Sequence, residues 1–208
     1  MNSAILMPLH SFLEWLNQYP RIGGPLMSRI DETRKFIPVR IAVLTVSDTR
    51  TLENDKSGNT LSELLSNAGH NLSARAICKD DIRSIRATLR KWLKRPDTDA
   101  IITTGGTGLT GRDVTIEAVR PMLDKEADGF ATVFHMMSFS KIGTSTVQSR
   151  AMAGVADGKY IFCLPGSPGA CKDGWTEILQ KQLDYRHMPC NFVEIMPRLD
   201  EHLQRTKG

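Results

Sequence analysis

The chain reads as an α/β domain, a three-layer αβα sandwich whose helices cover both faces of a central, mostly parallel β-sheet, with a helical N-terminal extension. Three observations predict this. The runs Arg40 to Val46 and Ala100 to Thr104 are apolar and β-branched nearly throughout, as strands buried on both faces are. Helical patterns of about 10–15 residues separate such runs, which is the spacing of βαβ units. The runs also give way to glycine, hydroxyl and aspartate residues ahead of a helix, and open α/β sheets bind ligands beyond the carboxyl ends of their strands.

Residues 1–37 form the extension. Leu9, Phe12, Leu13 and Leu16 fall at helical spacing with Trp15 beside them, and Pro20, Gly23, Gly24 and Pro25 then break the chain. A short amphipathic helix and a linker are expected, the apolar face docking on its own domain or a neighbouring subunit. The domain proper, residues 38–208, opens with the strand Arg40 to Val46 and a loop through Gly58. Asn59 to Ala68 is helical, with Leu61, Leu64, Leu65 and Ala68 on one face and Gly69 as its stop. Ser57 reads as its cap or as a ligand contact. Asn71 to Cys78 is a weaker strand. Asp80 or Asp81 caps a helix carrying Ile82, Ile85, Leu89, Trp92 and Leu93; its final Lys91, Lys94 and Arg95 suit the negative end of a helix dipole. Ala100 to Thr104 is the next strand, then a glycine loop and a helix over Ile116 to Leu123. Asp124 to Glu126 reads as a solvated turn, Phe130 to Ser138 as a short helix, and residues 142–154 show no clear period. Tyr160 to Leu164 is the last core strand, and Ser167-Pro168 opens a helix through Trp175, Ile178, Leu179 and Leu183.

Composition narrows the function. A chain of 208 residues, 40% hydrophobic and 6% aromatic, can bury a largely aliphatic core. The net charge of +4 comes from interspersed residues with no Lys/Arg block, which argues against a nucleic-acid partner. No run approaches the roughly 20 apolar residues of a membrane span. Pro8, His10 and Glu14 interrupt the N-terminal apolar residues, so no signal peptide is expected. Cys78, Cys163, Cys171 and Cys190 form no CxxC pair and have no histidine at zinc-ligand spacing. They read as reduced, small hydrophobes in a cytoplasmic protein.

The run from Thr103 to Thr115, TTGGTGLTGRDVT, carries the chemistry. Glycines let backbone N–H groups approach an anion closely, and the N-terminus of the following helix adds partial positive charge. It is neither a Walker A motif nor a dinucleotide fingerprint. A second loop, Leu164 to Pro168, has the same character, and the two could line opposite walls of one pocket. Asp80, Asp81 and Asp113 stand at the same rim as Ser47 and Asp48; each could be only a cap or a solvated group. Two of them converging on a phosphate cradle would make an oxygen-rich Mg²⁺ site. Arg112 and Lys125 are candidates to neutralise phosphate charge.

These stretches together are specific. IAVLTVSDTR, DKSGNTL, TTGGTGLTGRDVT, DKEADGF, IGTSTVQSRAMAG and LPGSPGAC occur in that order from Arg40 to Asp184, and the chain resembles the MoaB/MogA family of molybdenum cofactor biosynthesis proteins, closest to the MoaB branch. The resemblance implies a compact α/β domain that binds molybdopterin and assembles as a homotrimer or a hexamer of two trimers, with other proteins of the pathway as further partners. Adenylyltransferase members join molybdopterin to AMP from Mg-ATP and release pyrophosphate; a non-catalytic molybdopterin-binding or scaffold protein is the alternative. By motif, the family's metal and catalytic aspartates fall on Asp80 and Asp113. Its ligand cradle falls on Gly105, Gly106, Thr107 and Gly108, with Ser47, Asp48, Gly166, Ser167 and Pro168 beside it. Two departures stand out: Ile116 replaces a common proline, where geometry is expected to survive, and Ala131 replaces a common glycine, which could narrow the pocket.

Overall fold

The computed structural model describes residues 29–201; the helix expected around residues 9–16 lies outside them. In chain order the elements are β1 (Arg29–Ile30), β2 (Arg40–Val46), α1 (Lys56–Asn67), β3 (Asn71–Cys78), α2 (Ile82–Leu93), β4 (Ala100–Thr104), α3 (Thr115–Val119), β5 (Lys125–Glu126), α4 (Asp128–Ile142), β6 (Met152–Ala156), β7 (Lys159–Leu164), α5 (168–182), β8 (His187–Met188) and α6 (Phe192–Ile195). Six strands form one sheet in the order β3-β2-β4-β7-β6-β5, and β1 and β8 form a separate antiparallel pair. Strands β3, β2, β4 and β7 run parallel; β6 is antiparallel to both β7 and β5.

The period-2 alternation of strands divides the core. Ile41, Val43, Ile102 and Phe162 face Leu61 and Leu65 of α1, Phe130 and Phe134 of α4, and Trp175 and Leu179 of α5. Ala42, Leu44, Val46, Ile101 and Ile161 face Ile85, Leu89 and Trp92 of α2 and Ile116 and Val119 of α3. These are the three layers the sequence predicts. Each fully buried Leu, Ile or Val side chain adds about 1.5–3 kcal/mol to the folded state. Among the described residues no helix is long and apolar enough to cross a membrane.

Local chemistry sets the helix bounds. Asp81 caps α2 by accepting the Ser84 N–H at 2.8 Å. Helix α1 begins at Lys56, before the Asn59 read from the sequence, and its cap is Asp55, not Ser57. Gly58 disguises this start: it sits in the first turn because a Cβ there would collide with the Asp55 carboxylate and lie 2.8 Å from Thr45 Oγ1. Helix α3 is five residues long and passes into a 3₁₀ turn, Arg120–Met122, at Pro121. Helix α4 extends beyond the expected Phe130 to Ser138 at both ends. Ala131 lies inside it at a negative φ, so it makes no glycine-like demand on the backbone. Ser167 caps α5 with Pro168 in the first turn, and a π-helical turn, Gly174–Leu179, interrupts its middle.

Two strands of the main sheet escape the sequence reading, as do β1, β8 and α6 outside it. Strand β6 occupies part of the unassigned stretch and joins β7 through Asp157-Gly158, both at positive φ, a type I′ hairpin turn. Lys125-Glu126 is a short edge strand, not a free turn.

Candidate functional site

The carboxyl ends of β2, β3, β4 and β7 meet at one rim. Each brings a loop: Ser47-Asp48, Lys79 to Asp81, Gly105 to Asp113, and Pro165 to Pro168. The Ser47 N–H donates to Cys78 O at 2.8 Å, so pairing of the first two ends continues past the strands. The Ser47 hydroxyl turns inward and accepts the N–H groups of Thr49 and Arg50 at 3.3 and 3.2 Å. A hollow of about 380 Å³, lined in part by Ser47, Asp48, Arg50 and Lys79, opens to solvent beside them.

The glycine loop is shaped by close approach. Gly105 and Gly106 have φ of 97° and 61°, left-handed conformations that glycine adopts without steric cost. A Cβ on Gly106 would lie 2.5 Å from Thr115 Oγ1 and 2.7 Å from Asp80 Oδ1, and one on Gly108 would lie 2.8 Å from Asp113 Oδ2. Asp80 and Asp113 therefore both border the glycine loop. Thr115 pins that loop, its hydroxyl donating to Gly105 O and its N–H to Gly106 O, both at 2.8 Å. The two glycine loops abut instead of facing each other across a gap: Gly166 packs on Gly105, where a Cβ would come within 3.1 Å of the Gly105 Cα. Thr104 Oγ1 donates to Pro165 O at 2.9 Å and reinforces this contact. Thr107 is buried, and Ser167 and Pro168 serve as the start of α5.

Negative charge concentrates here. Burial raises the Asp80 pKa from its ordinary value, and the charges of Asp48 and Asp113 raise it further, against an opposing contribution from Arg112. Asp48 is held low by its bonds from Arg112, and Asp113 by Thr110, whose hydroxyl and N–H donate to Oδ2 at 2.6 and 2.9 Å. Hard carboxylate oxygens brought to one glycine loop are a fitting donor set for Mg²⁺. Among the described residues, no group of three His, Cys, Asp or Glu side chains is already gathered as a cage.

Positive charge comes from arginines, since α3 is too short to supply much dipole. Arg112 pairs with Asp48. Arg150, which sequence reasoning did not single out, donates Nε to Thr107 O at 2.8 Å, reaches Asp113 O at 3.5 Å and pairs with Glu117 at 2.5 Å. Arg50, also missed, donates Nη2 to Gly166 O at 2.9 Å and Nη1 to Ser57 Oγ at 3.0 Å. Ser57 Oγ donates to the same Gly166 O at 2.7 Å, so it ties the first turn of α1 to the loop after β7 and caps no helix. Behind them Asp55, fully buried, accepts from Thr45 Oγ1 at 2.6 Å, Gly58 N at 3.0 Å and Arg75 Nη2 at 3.1 Å. Lys125 does not join the site. Its register, Lys125 with Val155 and Val155 with Tyr160, puts it level with the start of β7, at the opposite end of the sheet.

The thiols take no part. Burial pushes Cys78 and Cys171 up to about 11 and Cys163 to about 12, so none is a nucleophilic thiolate near neutral pH.

Known proteins share the sequence and fold of this chain. The family model described as "Probable molybdopterin binding domain" matches residues 42–185. The chain is 49% identical over 158 residues to molybdenum cofactor biosynthesis protein B of Escherichia coli (strain K12), across 76% of this chain and 93% of that protein. Identity to the protein of the same name from Halalkalibacterium halodurans is 46% over 159 residues, across 75% and 94% of the two chains. A crystal structure of a molybdenum cofactor biosynthesis protein B is similar at TM-score 0.73 and 40% identity, covering 81% of this chain and 99% of that one. The tungsten cofactor synthesizing protein MoaB from Pyrococcus furiosus is similar at TM-score 0.62 and 37% identity, covering 69% and 92%.

Proposed function

Because the chain belongs to the MoaB/MogA family of molybdenum cofactor biosynthesis and carries its molybdopterin-binding domain, we propose that it adenylylates molybdopterin, taking AMP from Mg-ATP and releasing pyrophosphate. The observation that carries this reading is the placement of Asp80 against Gly106 and of Asp113 against Gly108, at the carboxyl ends of the parallel strands. In the reaction a terminal phosphate oxygen of molybdopterin attacks the α-phosphorus of ATP, and the bond to the departing pyrophosphate breaks. Both partners are anions, so positioning and charge neutralisation carry the catalysis, and no covalent nucleophile is required. The Gly106 amide and the Thr107 segment cradle phosphate oxygens, while the Gly105 N–H is spent on Leu164 O at 3.2 Å and the Gly108 N–H on the Asp113 carboxylate. Arg50 and Arg150 hold the two loops in register through Gly166 O and Thr107 O. Asp80 and Asp113 would hold Mg²⁺, which would supply charge stabilisation at the α-phosphate when bound. The same reading includes a cytoplasmic homotrimer or homohexamer. The exposed Val133, Met136, Phe139 and Ile142 on α4, with Val147 after it, support burial of that face in an assembly.

The test is pyrophosphate release from molybdopterin, ATP and Mg²⁺ by the wild-type, Asp80→Asn and Asp113→Ala proteins. Each substitution is expected to cut turnover by about 100-fold or more, as loss of transition-state charge stabilisation does, with melting temperatures close to wild type. Undiminished adenylyl transfer by Asp113→Ala overturns the assignment. The engagement of Asp113 Oδ2 by Thr110 favours the second reading, a non-catalytic molybdopterin-binding protein of the pathway. That reading prevails if calorimetry shows the wild-type protein binding molybdopterin while no pyrophosphate forms.

A further inference from the structure

Arg112 reaches from the glycine loop across the mouth of the site. Its Nε and Nη2 both donate to Asp48 Oδ2, Nε at 3.1 Å. Asp48 Oδ1 in turn accepts the Asp80 N–H at 3.3 Å. One guanidinium thereby links the loops that follow β4, β2 and β3. It stands within electrostatic reach of Asp48, Asp80 and Asp81, and its charge opposes the repulsion that Asp48 and Asp113 exert on Asp80.

The three arginines around the site are not equivalent. Arg50 and Arg150 are 30% and 29% exposed and spend donors on backbone carbonyls, which fastens them to the frame. Arg112 is 69% exposed, and the side-chain bonds described for it go to Asp48 alone. An exposed pair of this kind contributes little to stability, so giving it up costs little. The planar fork that meets a carboxylate also meets a phosphate, with the same donors.

We propose that Arg112 is an exchangeable counter-ion: in the free protein it neutralises the acidic mouth through Asp48, and when a divalent cation held by Asp80 and Asp113 takes over that neutralisation its guanidinium transfers to phosphate oxygens of the nucleotide. The inference rests on the Mg-ATP reading of the site given above. It makes Arg112 a competitor of the metal and an ally of the phosphate, so removal of its charge shifts the two affinities in opposite directions. An arginine that only braced the loop would move both the same way or neither.

The experiment is calorimetric titration of the full chain, wild type, Arg112→Gln and Arg112→Lys, with Mg²⁺ alone and with metal-free pyrophosphate alone. For Arg112→Gln the Mg²⁺ Kd should fall about 3- to 10-fold as a competing charge is removed, and the pyrophosphate Kd should rise about 10-fold as a charge-assisted fork is lost. Arg112→Lys keeps the charge without the fork, so its Mg²⁺ affinity should match wild type while pyrophosphate binding is only partly restored. Because the side chain is so exposed, the variants should melt with the wild type. Unchanged or weaker Mg²⁺ binding by Arg112→Gln, or unchanged pyrophosphate binding, overturns the exchange. If wild type and variant bind Mg²⁺ equally, this inference alone fails; if the wild type binds no Mg²⁺, the Mg-ATP reading fails with it.

Discussion

Replacing Asp55 tests whether the rim is held together from beneath. Asp55 is 0% exposed and accepts hydrogen bonds from β2 through Thr45, from the first turn of α1 through Gly58, and from β3 through Arg75; Arg50 lies 3.5 Å away. Three costs follow from Asp55→Ala. Loss of the helix cap removes about 1 kcal/mol. The Thr45 hydroxyl, also 0% exposed, is left without its acceptor, which costs about 1–3 kcal/mol. Arg75 and Arg50 lose their anion, but at 21% and 30% exposure water re-solvates them in part, so that loss is on the order of 1 kcal/mol rather than the larger figure for a fully buried pair. The sum, about 3–5 kcal/mol, lowers the melting temperature of a chain this size by roughly 6–20 °C. Asp55→Asn keeps the cap acceptor and the shape, so it should lose about half as much. Thermal unfolding followed by circular dichroism at pH 7 reads both. An Asp55→Ala protein melting within about 2 °C of wild type would refute the reasoning, since no single cost above is that small. The acid limb provides an independent check. Burial pushes the Asp55 carboxyl up, but the bonds from Thr45, Gly58 and Arg75 outweigh it, and its folded pKa lies below the unfolded value. That stabilisation is complete above about pH 4 and disappears as pH falls further, so Asp55→Asn should show a shallower acid loss than wild type.

Two other perturbations probe the core and the cradle. His70 is buried beside Trp175, accepts the Val39 N–H on Nδ1 at 3.1 Å, and has its pKa lowered by burial, with the Asp184 charge opposing. Its contribution is present above the unfolded pKa of about 6.5 and is lost as pH falls through the lower folded value; melting curves from pH 8 to pH 5 should show this decline, and His70→Gln should flatten it. Gly106→Ala puts a Cβ 2.5 Å from Thr115 Oγ1 and 2.7 Å from Asp80 Oδ1 on a backbone at φ 61°. It should cost about 1–3 kcal/mol in chemical denaturation and abolish pyrophosphate binding; full binding with wild-type stability would show that the loop does not need this close approach.

What the sequence displays and what it hides follow from how far each interaction reaches. Strands β2, β4 and β7 lie inside the sheet, covered on both faces, so their side chains are apolar almost without break and their positions are legible. Strand β6 lies between β7 and β5 and carries small residues, Gly154 among them, because β5 packs closely there. The one local mark it leaves is Asp157-Gly158, a two-residue hairpin signal that could have placed both the turn and the strand before it. The start of α1 is hidden for a similar reason: Gly58 looks like loop until Asp55 is known to occupy the space its side chain would need.

The same distinction holds at the rim. Which loops gather there is legible, because strand ends in a parallel sheet share one edge. Which charges fill it is not, because Arg50 meets Gly166 across 116 positions of sequence and Arg150 meets Thr107 across 43. Lys125 shows the converse error: a cation near the motif in sequence sits at the far end of the sheet, because its strand pairs level with the start of β7. A short α3 also shifts the electrostatic source. A helix dipole is fixed in place and cannot be traded, whereas guanidinium groups differ in how firmly they are held. Two of the three arginines are bonded to the loop backbones that must stay still. The third is bonded only to an exposed carboxylate at the mouth, Asp48, which it can leave once a cation neutralises the site. On the proposed Mg-ATP reading, a site that admits two polyanions and a metal and then releases pyrophosphate would need that kind of division between fixed and exchangeable charge.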